Sequence, residues 1–173
     1  MNTVQVLAVL KKDIVAKQYE SFCLPSDFLD RLTVTSFPTI IVVNTSSSRL
    51  LFGHFVGLIA MTRKTIEVFD TYGRNYSEWK NIGQFVDRFE IVTQNRRKIQ
   101  NTMTMACGFH VLVFILLRLR RYSFQSIVNI FTPNSLWNDF LSENIIVKFF
   151  NVDFKALSPF CIDKHCEQVS LSY

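Results

Sequence analysis

Apolar positions along this chain fall into two kinds of run. Thr39–Asn44 (TIIVVN) is an unbroken β-branched stretch, which predicts a buried strand. Phe52–Ala60 (FGHFVGLIA) and Thr65–Phe69 (TIEVF) predict a hairpin that turns through Met61–Lys64. Cys107–Arg121 (CGFHVLVFILLRLRR) is apolar nearly all round until its basic end, the mark of a buried central helix with cations at its C-terminus. Thr3 can cap a short helix through about Leu10. Ser123–Phe131 and Asn134–Phe150 predict two more helices, and Tyr76–Arg88 has roughly helical spacing. Phe89–Thr93 predicts a short strand. Loops are expected at Phe22–Asp27 (FCLPSD), Asn44–Arg49 (NTSSSR) and Gln94–Thr104.

The fold class is therefore α+β. A small mixed β-sheet packs against the central helix, which carries a cysteine at its N-terminus, with other helices flanking it. One domain is expected over residues 1–150. After Asn151 the pattern dissolves, so 151–173 reads as a C-terminal tail.

Composition narrows the class. The chain has 173 residues, with 49% hydrophobic, 19% charged and 17 Phe, enough to build a core and far from a disordered composition. The longest apolar run, Val111–Leu117, is closed by Arg118, well short of the roughly 20 residues a membrane span needs. Val4–Leu10 lacks the basic start and cleavage site of a signal peptide, so secretion is not expected. Cys23, Cys107, Cys161 and Cys166 are too few for a disulfide framework in a chain this long, and they read as reduced thiols. The net charge of +5 permits an anionic partner without requiring one.

Four positions carry chemistry, in the order His54, Asp70, Gln100, Cys107. With the hairpin turn centred on Thr62-Arg63, His54 lies opposite Asp70, where a carboxylate would orient the imidazole and stabilise its charged form. Cys107 opens the apolar helix, where free N–H groups and the helix dipole favour a thiolate. Gly108 would let a substrate backbone come close. Gln100, seven residues before Cys107, can offer a side-chain N–H beside the Cys107 backbone N–H to a developing oxyanion.

This pattern resembles the adenovirus-type cysteine proteases (adenain), in a clan shared with SUMO- and ubiquitin-like-protein proteases. The nearest likeness is to adenain-like proteases of polinton/adintovirus-type double-stranded DNA elements. It covers about residues 3–150. Gln-x6-Cys-Gly is its specific part. Supporting matches are Phe22–Asp27, with Asp27 on the family's Asp, Ile40–Thr45 before the histidine, and Asn138-Asp139 in the late helix. The family usually has Trp after the histidine, where this chain has Phe55, a residue that would bear on substrate fit.

The resemblance implies a thiol endopeptidase that cuts virion precursor proteins, often after small residues such as glycine. Cys107 would attack, His54 move the proton, Asp70 orient His54, and Gln100 hold the oxyanion. It further implies an activating peptide and DNA as partners, with no cofactor required for the chemistry. A monomer is expected, in the virion or in the nucleus or cytoplasm of a host cell, without a membrane.

Competing readings use the same residues. His110, at i+3 from Cys107, is an alternative base or a buried core histidine. The papain order would require His165. Cys161-x3-His165-Cys166 offers three zinc ligands without a fourth, and no metal site is expected. Arg96-Arg97-Lys98 and Arg118-x-Arg120-Arg121 are candidate nucleic-acid contacts or simply solvated and helix-end cations. The alternative functions are a deconjugating protease of the same clan and a catalytically silent binding module.

Overall fold

Strand residues are apolar at successive positions because helices or turns cover both sides of the sheet they form. The computed structural model describes residues 1–48 and 53–150. Strands β1 (Ser21–Pro25), β2 (Thr39–Asn44), β3 (Phe55–Ala60), β4 (Thr65–Phe69) and β5 (Ile91–Gln94) lie side by side in chain order. β2, β3 and β4 are antiparallel neighbours, and β1 and β5 run parallel to β2 and β4 at the two edges.

On one face, Ile40, Val42, Phe55, Ile59 and Phe69 pack with α1 (Thr3–Lys12), α3 (Cys107–Leu119), α4 (Phe124–Ile130) and α5 (Ser135–Phe150). On the other, Ile41, Val43, Val56, Leu58, Ile66 and Val68 pack against Leu29 and against Ile82, Phe85 and Val86 of α2 (Lys80–Val86). Double coverage explains why the β2 sequence shows no period-two alternation. The fold is α+β with a five-stranded mixed sheet.

α3 is the centre of the first layer, and every residue from Cys107 to Leu116 is buried. It approaches β3 closely because Gly57 has no side chain: a Cβ there would lie 3.0 Å from Val111 Cγ1. Its C-terminal cations are fastened rather than free. Arg118 makes a bidentate pair with Glu67 of β4 at 2.7 and 2.9 Å, and Arg120 reaches Asp13 at 2.6 Å. A polar clamp joins α3 to α5, where His110 bonds Asp139 Oδ1 through Nε2 and Ser142 Oγ through Nδ1, each at 2.7 Å.

Several elements differ from the sequence expectation. The Phe22–Asp27 stretch is not a loop, since most of it forms β1. An edge strand whose residues are all half-buried shows neither alternation nor a continuous apolar core run, so its sequence carried no strand signal. Tyr76–Arg88 is a 3₁₀ turn (Tyr76–Glu78) followed by α2. β3 begins at Phe55, and β5 lies two residues later than Phe89 suggested. The tail, with Cys161, His165 and Cys166, lies outside the described residues.

Replacing Gly57 by Val should force α3 off the sheet and lower stability by about 1–3 kcal/mol, the usual cost of overpacking a core. A urea unfolding midpoint checks this. An unchanged midpoint would mean that the close approach of α3 to β3 is not needed.

Candidate active site

Three elements deliver the chemical groups to one place. β3 starts just after His54, β4 ends just before Asp70, and α3 starts at Cys107. In the hairpin Gly57 faces Phe69 and Leu58 faces Val68. This register is shifted by two from the one the turn suggested, so by extension His54 aligns with Tyr72, and Asp70 sits diagonal to it. The diagonal still brings them together: His54 Nε2 and Asp70 Oδ1 are 2.5 Å apart. The histidine side chain is 13% exposed and the carboxylate fully buried.

Asp70 is held on every side. Its Oδ1 accepts from the Tyr72 N–H and its Oδ2 from the Arg74 N–H, at 3.2 and 2.7 Å. The Asn95 side chain accepts from the Asp70 N–H and donates to its carbonyl, at 2.9 and 2.6 Å. The turn that makes these contacts needs Gly73, which has φ +68° and whose Cβ would lie 2.6 Å from Arg96 O. Sequence reasoning missed Asn95, since nothing local marks an amide that locks the backbone of an aspartate 25 residues away.

With Nε2 engaged by Asp70, His54 also interacts with the Cys107 side chain, and each acts on the charge of the other. Desolvation lowers the imidazole pKa, but the bonds and charges of Asp70 and Cys107 outweigh it and raise the value to about 9. Desolvation likewise raises the Cys107 pKa. The bond and charge of His54, then the backbone N–H groups of Phe55 and Gly108, outweigh this and lower it. α3 has no side-chain cap at Ala106, so its first N–H groups remain for the sulfur. Cys23 is the contrast, with its thiol desolvated against the core and pushed up to about 12.

Gln100 is buried and its amide is oriented by its partners. Thr104 C=O can only accept, so Nε2 faces it at 2.8 Å, while Oε1 accepts from Thr71 Oγ1 at 2.7 Å. α5 holds this loop from below: Asn138 Nδ2 donates to Ile99 O at 3.0 Å, and Thr104 Oγ1 donates to Asp139 Oδ2 at 2.6 Å. Asn138 and Asp139 are thus the braces of the segment that carries Gln100.

The remaining candidates fall elsewhere. Phe55 is 4% exposed and lies in the core, so its side chain does not face a substrate as expected; its backbone N–H is what reaches Cys107. The open side of Gly108 is filled by Met1, whose Sδ would lie 2.7 Å from a Cβ there, and not by a substrate channel. His110 is fully buried in the α3–α5 clamp, and burial lowers its pKa against the pull of Asp139. Asp27 accepts from the Ser48 N–H and hydroxyl at 2.9 and 2.7 Å, which ties down the loop after β2. Of the basic clusters, Arg97 is bonded to the Val128 and Phe131 carbonyls, and Arg118 and Arg120 are the fastened cations of α3. Among the described residues, no group of His, Cys, Asp and Glu is placed to hold a metal ion, and no helix is long and apolar enough to cross a membrane.

Rings surround the histidine. Tyr72 lies 4.7 Å and Trp79 6.1 Å from the imidazole, centroid to centroid. The Tyr72 phenol is pushed up by desolvation and then by the Cys107 charge, which places it on the same site. Neither residue was singled out in the sequence, because each reaches the histidine from its own turn.

No family model matches the chain, and no curated protein matches it in sequence. Solved structures do match it in fold. ASFV pS273R protease aligns with a TM-score of 0.50 at 16% identity, over 81% of this chain and 62% of that one. The central domain of the uncharacterized Lpg1148 protein from Legionella pneumophila aligns with a TM-score of 0.51 at 11% identity, over 87% of this chain and 97% of that one. The chain spans less than two thirds of the pS273R protease. At these identities the likeness is one of fold: the mixed sheet and its helices form an architecture also found in a viral protease.

Proposed function

We propose that this protein is a cysteine endopeptidase of the adenain type, acting on precursor proteins of a virus or virus-like element during virion maturation. One observation carries the chemical part of the reading: a thiol of lowered pKa at an uncapped helix start, bonded to a histidine that is itself bonded to a buried carboxylate. The fold shared with pS273R protease supports the peptidase class. The maturation role rests on the resemblance in the Gln-x6-Cys-Gly pattern.

In this reading Cys107 Sγ attacks the scissile carbonyl carbon and the carbonyl oxygen becomes an oxyanion. Protonated His54 gives its proton to the leaving amine as the C–N bond breaks. A water then attacks the thioester, losing its proton to His54, and the thiolate leaves. The oxyanion lies near the Cys107 N–H, and Gln100 supplies the second donor through the Nε2 hydrogen that Thr104 does not take. No metal or cofactor enters these steps. DNA and an activating peptide belong to the proposal through the resemblance, with Arg96, Lys98 and Arg121 the exposed cations of the two basic clusters not fastened by the bonds described above.

Cys107→Ser should abolish cleavage of a denatured-protein substrate, read by mass spectrometry of the fragments. Cleavage by the serine variant at the wild-type rate would overturn the reading. The ion pair forms as rising pH removes the Cys107 proton, below that thiol's ordinary 9.0, and is lost as His54 deprotonates near 9. kcat/KM should therefore rise from acid to neutral pH and fall near 9, and Asp70→Asn should move the alkaline fall to lower pH.

Gln100→Ala tests the oxyanion donor. It should lower kcat by about 10²–10³, with Cys107 alkylation unchanged, because alkylation forms no tetrahedral oxyanion. Parallel losses in both reactions would assign Gln100 to structure alone.

A further inference from the structure

We infer that Arg74 selects an acidic side chain on the leaving-group side of the scissile bond; this rests on the peptidase reading above. Arg74 is exposed, and among the described residues no carboxylate lies within ion-pair distance of its guanidinium. Arg118 and Arg120 both have acidic partners. Arg74 instead rests on two rings, 5.2 Å from the Tyr72 centroid and 5.9 Å from that of Trp79. These are the rings that flank His54.

The backbone of Arg74 is fixed at both ends. Its N–H donates to Asp70 Oδ2 at 2.7 Å, and its carbonyl accepts from the Gln94 side chain. A guanidinium stacked on aromatic faces keeps its in-plane N–H groups available, in a fork that matches a carboxylate. The cation is thus positioned by the same Asp70 that orients the histidine, and its charge is left uncommitted.

The direction follows from the chemistry. His54 hands its proton to the leaving amine, so the residues after the scissile bond pass beside the imidazole. Tyr72 and Trp79 form the wall beside that path, and Arg74 lies one ring contact beyond. At roughly 3.3 Å per residue of extended chain, the guanidinium falls within reach of the first three positions after the cut. A Glu or Asp there finds a cation already held in place. A Lys or Arg meets repulsion.

Cut sites made in a proteome-derived peptide library, read by mass spectrometry, test this with wild type, Arg74→Gln and Arg74→Glu. In wild type, Asp and Glu should be enriched about two- to fivefold in the first three positions after the cut, the range of an exposed charge pair. Arg74→Gln should erase the enrichment, and Arg74→Glu should replace it with Lys and Arg, with Cys107 alkylation unchanged in both. Paired peptides carrying Glu or Gln after the cut should differ less at high salt. A wild-type profile without acidic enrichment, or one that Arg74→Glu leaves unaltered, overturns the assignment. If wild type cuts nothing, with or without DNA, the peptidase reading fails and this assignment falls with it.

Discussion

Burial opposes the Cys107 thiolate, and the rest of the site exists to overcome that opposition. Burial in apolar surroundings favours the neutral thiol, and it pushes Cys23 up to about 12. Cys107 escapes because its position at the start of α3 gives it backbone N–H groups that no side chain caps, and because His54 supplies both a hydrogen bond and a positive charge. That charge depends in turn on Asp70, which the Asn95 amide and the Gly73 turn hold in one orientation. The chain of dependence runs from a turn glycine to the lowered pKa of one thiol.

The fold serves this pair by bringing three distant segments to one corner. Gly57 lets α3 lie close on β3, which carries the Phe55 N–H to Cys107 and holds His54 beside it. The α3–α5 clamp does the same for the loop of Gln100, because Asp139 holds His110 with one oxygen and Thr104 with the other. One carboxylate therefore couples the helix that opens at Cys107 to the loop that carries Gln100. The side chain on which the α3 histidine settles is the one that fixes Gln100 through Thr104.

Much of this was legible in the sequence, and the parts that were not have physical reasons. β2, β3 and α3 announce themselves because burial on both sides leaves continuous apolar runs. The edge strand β1 has no such run, and its half-buried residues read as a loop. The hairpin brought His54 near Asp70 by a register two residues out, which was harmless because a diagonal neighbour is also within reach. Gly108 and Phe55 were misread for one reason: a place next to Cys107 or His54 in the chain does not say which way a residue faces, and both face inward, toward Met1 and the core. Asn95, Thr71, Thr104, Tyr72 and Trp79 enter through contacts between segments far apart in the chain, which no local pattern encodes.

The pairing of Cys107 with His54 is tested by the pH dependence of cysteine alkylation, resolved site by site by mass spectrometry, in wild type and in His54→Ala. Wild-type Cys107 should react rapidly near pH 6, far ahead of Cys23, and His54→Ala should remove this advantage at neutral and acid pH. A Cys107 that reacts no faster than Cys23 near pH 6, or whose profile is indifferent to His54, would contradict the thiolate–imidazolium pair on which the site is built.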